Sequence, residues 1–193
     1  MLNINNMQLT EKDLSVDFIE YCKKYTEPIV LELGTKQSIN NRSTMHKSWI
    51  PNAKEYYGTD FEDGKDVDIL ADVHEISKVL KNQDKHPKEY DVIISASTFE
   101  HIRNPFKAMD ELSKILKKGG TIFIQTHNCF PIHAYPYDYW RFTIESLEAI
   151  MKDAGIEMID ASYTYPCDIE SNQDPQSKNH PSFLLVSAYG VKK

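Results

Sequence analysis

Apolar residues recur along this chain in two alternating rhythms, short contiguous runs and stretches at helical spacing. Leu14, Phe18, Cys22 and Tyr25 share one helical face; Thr10 is the expected cap, Asp13 follows three residues later, and Pro28 ends the segment. The run Ile29-Val30-Leu31-Glu32-Leu33-Gly34 reads as a buried strand closing in a turn. Residues 35–55 are polar, with one short helix expected near Thr44 to Trp49. Tyr56 to Asp60 and Asp68 to Asp72 read as the second and third strands, each ending in a carboxylate, and residues 73–80 as a helix. Tyr90 to Ser95 is the fourth strand. A strongly signalled helix follows: Asn104 caps it, Pro105 takes its first position, Phe106, Met109, Leu112 and Leu116 form the apolar face, and Lys117, Lys118 and Gly119 close it. Thr121 to Gln125 is the fifth strand. Thr143 caps a further helix with Leu147, Ile150 and Met151 inward and Gly155 at its end, and the sixth and seventh strands fall at Ile156 to Ser162 and Phe183 to Tyr189. His127 to Phe142 is irregular and aromatic. Pro166 to Pro181 is polar and reads as a loop suited to act as a lid.

Strands alternating with helices predict an α/β fold built on an open, mostly parallel sheet, and 193 residues are about the size of one domain. Composition then narrows the chemistry. The chain has 7 glycines and no G-x-G, so a P-loop, a dinucleotide fingerprint and a kinase glycine loop are all absent. Acidic residues outnumber basic ones, 29 to 22, and only Arg42, Arg103 and Arg141 are arginines, which disfavours a nucleic-acid partner. Cys22, Cys129 and Cys167 form no C-x-x-C and read as reduced thiols. With no H-x-H or H-E-x-x-H spacing, no metal is expected. No apolar run reaches membrane-spanning length and the first residues lack a signal-peptide pattern, so a cytoplasmic protein without a membrane partner is expected.

In an open parallel sheet, ligands bind beyond the carboxyl ends of the strands, where the strand order reverses. The tips that matter are Glu32 to Thr35, Asp60, Asp72, Ser95 to His101 and Thr126 to Arg141. An acid at the end of the second strand suits two ribose hydroxyls, since one carboxylate accepts both hydrogen bonds; the competing role for Asp60 is to cap its own turn. Lys36 reads either as a contact for a ligand carboxylate or as an exposed surface lysine.

Five stretches carry a resemblance: VLELG (Val30 to Gly34), YYGTDFEDGKDVDILADVHE (Tyr56 to Glu75), YDVIISASTFEHI (Tyr90 to Ile102), LSKILKKGGTIFIQT (Leu112 to Thr126) and HAYPYDYWRFT (His133 to Thr143). In that order they resemble the class I S-adenosylmethionine-dependent methyltransferases, nearest to the bacterial small-molecule branch that includes sugar and polysaccharide-pathway enzymes. The resemblance covers roughly residues 28–160. It implies a Rossmann-like seven-stranded sheet with the last strand antiparallel and helices on both faces. It also implies one unit over residues 1–193, with an N-terminal helix in 1–27, a cofactor-binding half in 28–126 and a substrate-side half in 127–193. By similarity, Glu32 and Gly34 lie near the methionine end of S-adenosylmethionine, Asp60 holds the ribose, Asp72 and Val73 flank the adenine, and Ser95 and Ala96 pass beneath it. The family's first loop is usually glycine-rich, whereas here Thr35-Lys36-Gln37-Ser38 follow Gly34. A cofactor without phosphates does not require the closest backbone approach.

Methyl transfer to a hydroxyl requires positioning and removal of a proton, for which histidine is suited near neutral pH. His101 is a base or substrate contact, or instead a loop hydrogen-bonding group; His133 with Asp138 is an alternative base and its orienting acid. Tyr135, Tyr137, Tyr139 and Trp140 form a stacking wall for the acceptor or pack their own segment onto the sheet. Arg141 pairs a substrate anion or an internal acid, and Arg103 is a second anion contact. The expected activity is O-methylation of a small-molecule acceptor such as a sugar or glycan precursor, and a homodimer is compatible with it. The alternative is a non-catalytic binding or scaffold protein with a depleted first loop.

Overall fold

The computed structural model describes residues 12–36, 38–39, 42–170 and 180–193. Seven strands form the main sheet: β1 (Ile29–Leu33), β2 (Glu55–Asp60), β3 (Ile69–Leu70), β4 (Tyr90–Ala96), β5 (Leu116–His127), β6 (Ile156–Ile169) and β7 (His180–Lys192). They lie in the order β3-β2-β1-β4-β5-β7-β6. Strand β7 runs antiparallel to both neighbours and every other pairing in this sheet is parallel, which is the expected fold. A separate two-residue hairpin, Ser38–Ile39 against Arg42–Ser43, lies within the stretch read as polar loop.

Strands β1 and β4 are buried on both faces, which explains their continuous apolar sequence. Val30, Val92, Ile94 and Phe123 face helix α1 (Leu14–Cys22), where Phe18 packs its ring against Trp49, Phe123 and Tyr189. Leu31, Leu33, Ile93, Ile122 and Ile124 face the opposite layer of α2 (Ile76–Lys81), α3 (Pro105–Ile115) and α4 (Ile144–Asp153). No helix among the described residues is long and apolar enough to cross a membrane.

Several boundaries differ from the sequence reading, each for a local reason. Thr10 lies outside the described residues; α1 is capped by Asp13, which accepts from Ser15 N at 3.0 Å, and it ends before Tyr25. The short helix expected at Thr44 to Trp49 is a single 3₁₀ turn, Lys47–Trp49, and a second such turn, Val73–Glu75, precedes α2. The third strand is only two residues long. Helix α3 keeps its Asn104 cap and Pro105 start, but Phe106 faces solvent and the helix stops at Ile115. Lys117, Lys118 and Gly119 belong to β5, because Leu116 already pairs with Tyr90. Residues 117–120 then bulge opposite Asp91, whose carboxylate accepts from Lys117 Nζ at 2.9 Å and from Ile29 N at 2.9 Å. The two ends of the lid expected at Pro166 to Pro181 are strand, with Pro166 opposite Phe183 and Ile169 opposite His180; residues 171–179, the rest of that expectation but for residue 170, lie outside the described residues.

Helices α2 and α3 are joined by Glu111, which accepts from Ser77 N and Oγ and pairs with Lys107 and Lys114, both at 2.8 Å. Burial opposes its ionisation, yet the two lysines and Ser77 prevail and bring its pKa down to about 2. A depressed carboxyl stabilises the fold fully above its ordinary value of 4.5, and that contribution disappears as pH falls toward about 2. Because the lysines are half exposed, we expect Glu111→Gln to cost about 1–2 kcal/mol near neutral pH. Urea denaturation over that acid range should show the wild-type advantage shrinking, and an advantage independent of pH would contradict this assignment.

Candidate functional site

Above the carboxyl ends of β1 to β4 lies a cleft of about 880 Å³. It opens where the strand order reverses, between β1 and β4. The loop leaving β1 forms its floor. Gly34 has φ +75°, and a Cβ there would lie 2.2 Å from Thr98 Oγ1, so the residue is glycine for both conformation and space. Gly34 N donates to Thr59 O at 2.9 Å, and Thr35 Oγ1 donates to Asp66 O at 2.7 Å, tying this loop to β2 and the turn after it.

Asp60, at the tip of β2, accepts from Lys36 N at 3.0 Å and from Glu62 N at 3.1 Å, one through each oxygen. It therefore shapes its own turn while lining the cleft. Burial raises its pKa, partly offset by the backbone donors of Lys36 and Phe61 and by the Lys36 charge. Lys36 also pairs with Glu62 at the rim. Asp72 caps the turn Val73–Glu75 by accepting from His74 N at 2.9 Å, and its side chain is 65% exposed. His74 Nδ1 lies 2.6 Å from Asp72 Oδ1, and its Nε2 accepts from Asn104 N at 3.2 Å. The ring thus carries its proton on Nδ1 and bridges the third strand to the start of α3. Burial works against the Asp72 anion, but these bonds to His74 lower its pKa.

Of the cofactor-binding residues expected from the sequence, Gly34, Asp60, Asp72 and Val73 line the cleft. Glu32, Ser95 and Ala96 do not. Glu32 is buried on the α1 side of the sheet, where it accepts from His46 N at 2.9 Å, meets His46 Nδ1 at 2.7 Å and accepts from Tyr56 OH. Ser95 is fully buried, and Ser97 and Thr98 line the cleft instead. The difference comes from the chain turning sharply at Ser97, where φ is +49°.

Among the residues expected near the acceptor, His101, Arg103, Tyr137 and Tyr139 line the cleft. His101 Nδ1 lies 2.9 Å from Tyr137 O, so it must donate, leaving Nε2 as the lone-pair nitrogen. The rings of Phe61 and Tyr137 meet edge to face, 5.7 Å apart, on the same wall. His133 and Asp138 lie behind that wall. Asp138 accepts from Arg141 at 2.6 and 2.9 Å and from His133 N at 2.8 Å, and the guanidinium holds its carboxyl well below the usual carboxylate range. Arg141 also donates to Phe130 O and Pro131 O, so its donors are spent on holding the aromatic segment. Tyr135 is 90% exposed and Trp140 donates to Ile102 O at 3.0 Å; neither lines the cleft.

Sequence reasoning missed Phe61 and His74, and it included Thr98 only within the tip Ser95 to His101. His74 carried a readable signal, an Asp two residues before it in an Asx-type cap. Phe61 and Thr98 follow strand ends and are placed by tertiary contacts alone.

Comparison with known proteins fits this geometry. A family model described as "Methyltransferase domain" matches residues 15–161. A curated relative, the ubiquinone biosynthesis O-methyltransferase of Saccharophagus degradans, is 30% identical in a 92-position alignment that covers 38% of this chain and 39% of that protein. The first curated relatives are matched over only 14–39% of their own length. A SAM-dependent methyltransferase from Archaeoglobus fulgidus superposes with a TM-score of 0.61 at 15% identity, covering 93% of both chains. The 1,6-didemethyltoxoflavin-N1-methyltransferase of Burkholderia thailandensis, solved with bound 1,6-didemethyltoxoflavin and S-adenosylhomocysteine, superposes with a TM-score of 0.60 at 11% identity, covering 99% of this chain and 82% of that one. The family match spans well over half of the 193 residues, and the sheet order agrees with it: this chain belongs to the methyltransferase domain family.

Proposed function

We propose that the cleft binds S-adenosylmethionine and that the protein transfers its methyl group to a hydroxyl of a small acceptor. The observation that carries this reading is the pair of carboxylates, Asp60 and Asp72, at neighbouring strand ends of one cleft in a chain of the methyltransferase family. Asp60 retains lone pairs on both oxygens beyond those used by Lys36 and Glu62, enough to accept from two ribose hydroxyls. Asp72 and Val73 border the adenine, with Asp72 held in place by the bonds to His74. Gly34 allows close approach of the amino-acid end, and one glycine suffices because the ligand has no phosphates to surround. Ser97 and Thr98 take over the role expected of Ser95 and Ala96.

Bound S-adenosylmethionine supplies an electrophilic methyl group on a positively charged sulfur. The remaining work falls to the protein: to orient the acceptor, exclude water and accept one proton. His101 is the base: its Nδ1 proton is committed to Tyr137 O, and Nε2, which lies 3.8 Å from the Glu100 carboxyl, is the nitrogen left to receive a proton. Phe61, Tyr137 and Tyr139 supply ring faces for the acceptor, and Arg103 a charge for an acidic substituent. These rings, and the names of the curated relatives, favour a ring-borne hydroxyl. The sugar-pathway acceptor expected from the sequence alone has no counterpart in those names.

Titration calorimetry of the full chain with S-adenosylhomocysteine should give saturable binding that Asp60→Ala or Asp72→Ala weakens about tenfold or more, the loss of one or two good hydrogen bonds. Absence of binding at millimolar ligand would contradict the reading. In a mass-spectrometric transfer assay over phenolic and sugar hydroxyls, His101→Asn should lower kcat roughly 10²-fold or more while leaving cofactor affinity unchanged. Full turnover in that variant would exclude His101 as the base, and binding without transfer to any acceptor would favour the non-catalytic alternative.

A further inference from the structure

Behind the cleft wall, three polar atoms converge without a well-aligned hydrogen bond among the described residues: Glu100 Oε1, His127 Nδ1 and His133 Nδ1. Two of them face each other, His127 Nδ1 and Glu100 Oε1 at 3.0 Å, and His133 Nδ1 lies 3.4 Å from Asp138 Oδ2. A donor atom from each of the three side chains lies within 4.8 Å of the other two. The Glu100 side chain is fully buried and that of His127 is 8% exposed. Buried polar atoms whose bonding is this incomplete are uncommon, and a ligand shared by all three would complete it.

We propose that Glu100, His127 and His133 form a binding site for a divalent transition-metal ion, zinc first among them. Two imidazole nitrogens and a carboxyl oxygen are a zinc-type donor set, whereas magnesium and calcium favour oxygen alone. His127 Nδ1 and Glu100 Oε1 are 3.0 Å apart, close to the roughly 3.3 Å between ligands of a tetrahedral ion with bonds of about 2.0 Å. The surroundings hold the ligands in place. Thr126 Oγ1 donates to Glu100 Oε2 at 2.6 Å, orienting the carboxyl, and Asp138 anchors His133 through its backbone N–H at 2.8 Å. Phe130 stacks on His127 at 3.9 Å and shields it. Arg141, the permanent cation nearby, is neutralised by Asp138. A second grouping, His101, His133 and Asp138, shares one ligand, but Arg141 engages both oxygens of Asp138, so that set has no spare carboxylate; His101 Nε2 lies farther off, 3.8 Å from Glu100 Oε1. The spare coordinating capacity therefore belongs to the Glu100 set. Its ligands come from the turn after β4, the end of β5 and the aromatic segment. An ion there fastens the segment carrying Ala134, Tyr137 and Tyr139 of the cleft wall, and does so whether or not methyl transfer is the reaction.

The test uses the full chain, freed of metal with a chelator and titrated with Zn²⁺ by calorimetry and with Co²⁺ by visible absorption. Expected are one ion per chain, a strong ligand-field band of four-coordinate cobalt, and a thermal midpoint several degrees higher with Zn²⁺ than with chelator. Glu100→Gln and His133→Asn should each weaken uptake at least tenfold, and His101→Asn should not. The cobalt spectrum of the unaltered chain reports the donor set even where a variant folds poorly. No stoichiometric uptake, which would leave the gap to water, overturns the proposal. So does uptake indifferent to Glu100→Gln and His133→Asn, or uptake lost equally in His101→Asn.

Discussion

The loop that leaves β1 can form a cleft floor only if it lies directly against the turn that leaves β4, and that contact leaves no room for a side chain at position 34. Gly34 meets Thr98 at a distance no Cβ tolerates, and its positive φ turns the chain back toward β2, where Thr59 O receives its N–H. Gly58 is under a similar constraint, since a Cβ there would lie 2.1 Å from Asp66 O and 2.6 Å from Thr35 Oγ1. Two of the seven glycines thus set how closely the first loops pack. Asp60, Asp72 and the turn carrying Thr98 and His101 take their positions from that packing, because each sits within a few residues of a strand end fixed by it.

The polar chemistry is divided between groups spent on structure and groups left facing the cleft. Glu32, Asp138 and Arg141 are strong candidates on chemical type alone, yet each is satisfied internally: Glu32 by His46 and Tyr56, and the other two by one another. Asp60 and Asp72 accept backbone bonds that fix their orientation while leaving oxygen lone pairs to spare. The same segment that satisfies Arg141 brings His133 beside Glu100 and His127, where the bonding remains incomplete.

How much of this was legible depends on whether local or distant contacts decide. The buried strands, the Asn104 and Thr143 caps and the carboxylates at two strand ends follow from short-range patterns and were readable. The end of α3 was not, because Lys117 to Gly119 carry a helix-closing sequence that pairing of Leu116 with Tyr90 overrides. Phe106 looked inward by spacing, but the cap rotates it to solvent and gives the buried face to Met109, Leu112 and Ile115. The aromatic segment was hardest to read. Tyr139 lines the cleft while neighbouring Trp140 donates to Ile102 O; the backbone N–H groups of both bond to Glu100 O, a long-range anchor that residue type does not announce.

The central claim is that these strand ends form one nucleoside cleft, and the most direct measurement is a crystal structure of the full chain with S-adenosylhomocysteine. The account predicts the ribose hydroxyls within hydrogen-bond distance of Asp60, the adenine beside Asp72 and Val73, and the sulfur directed toward the His101 side. Ligand bound elsewhere, or a cleft holding it with both carboxylates unengaged, would contradict the account.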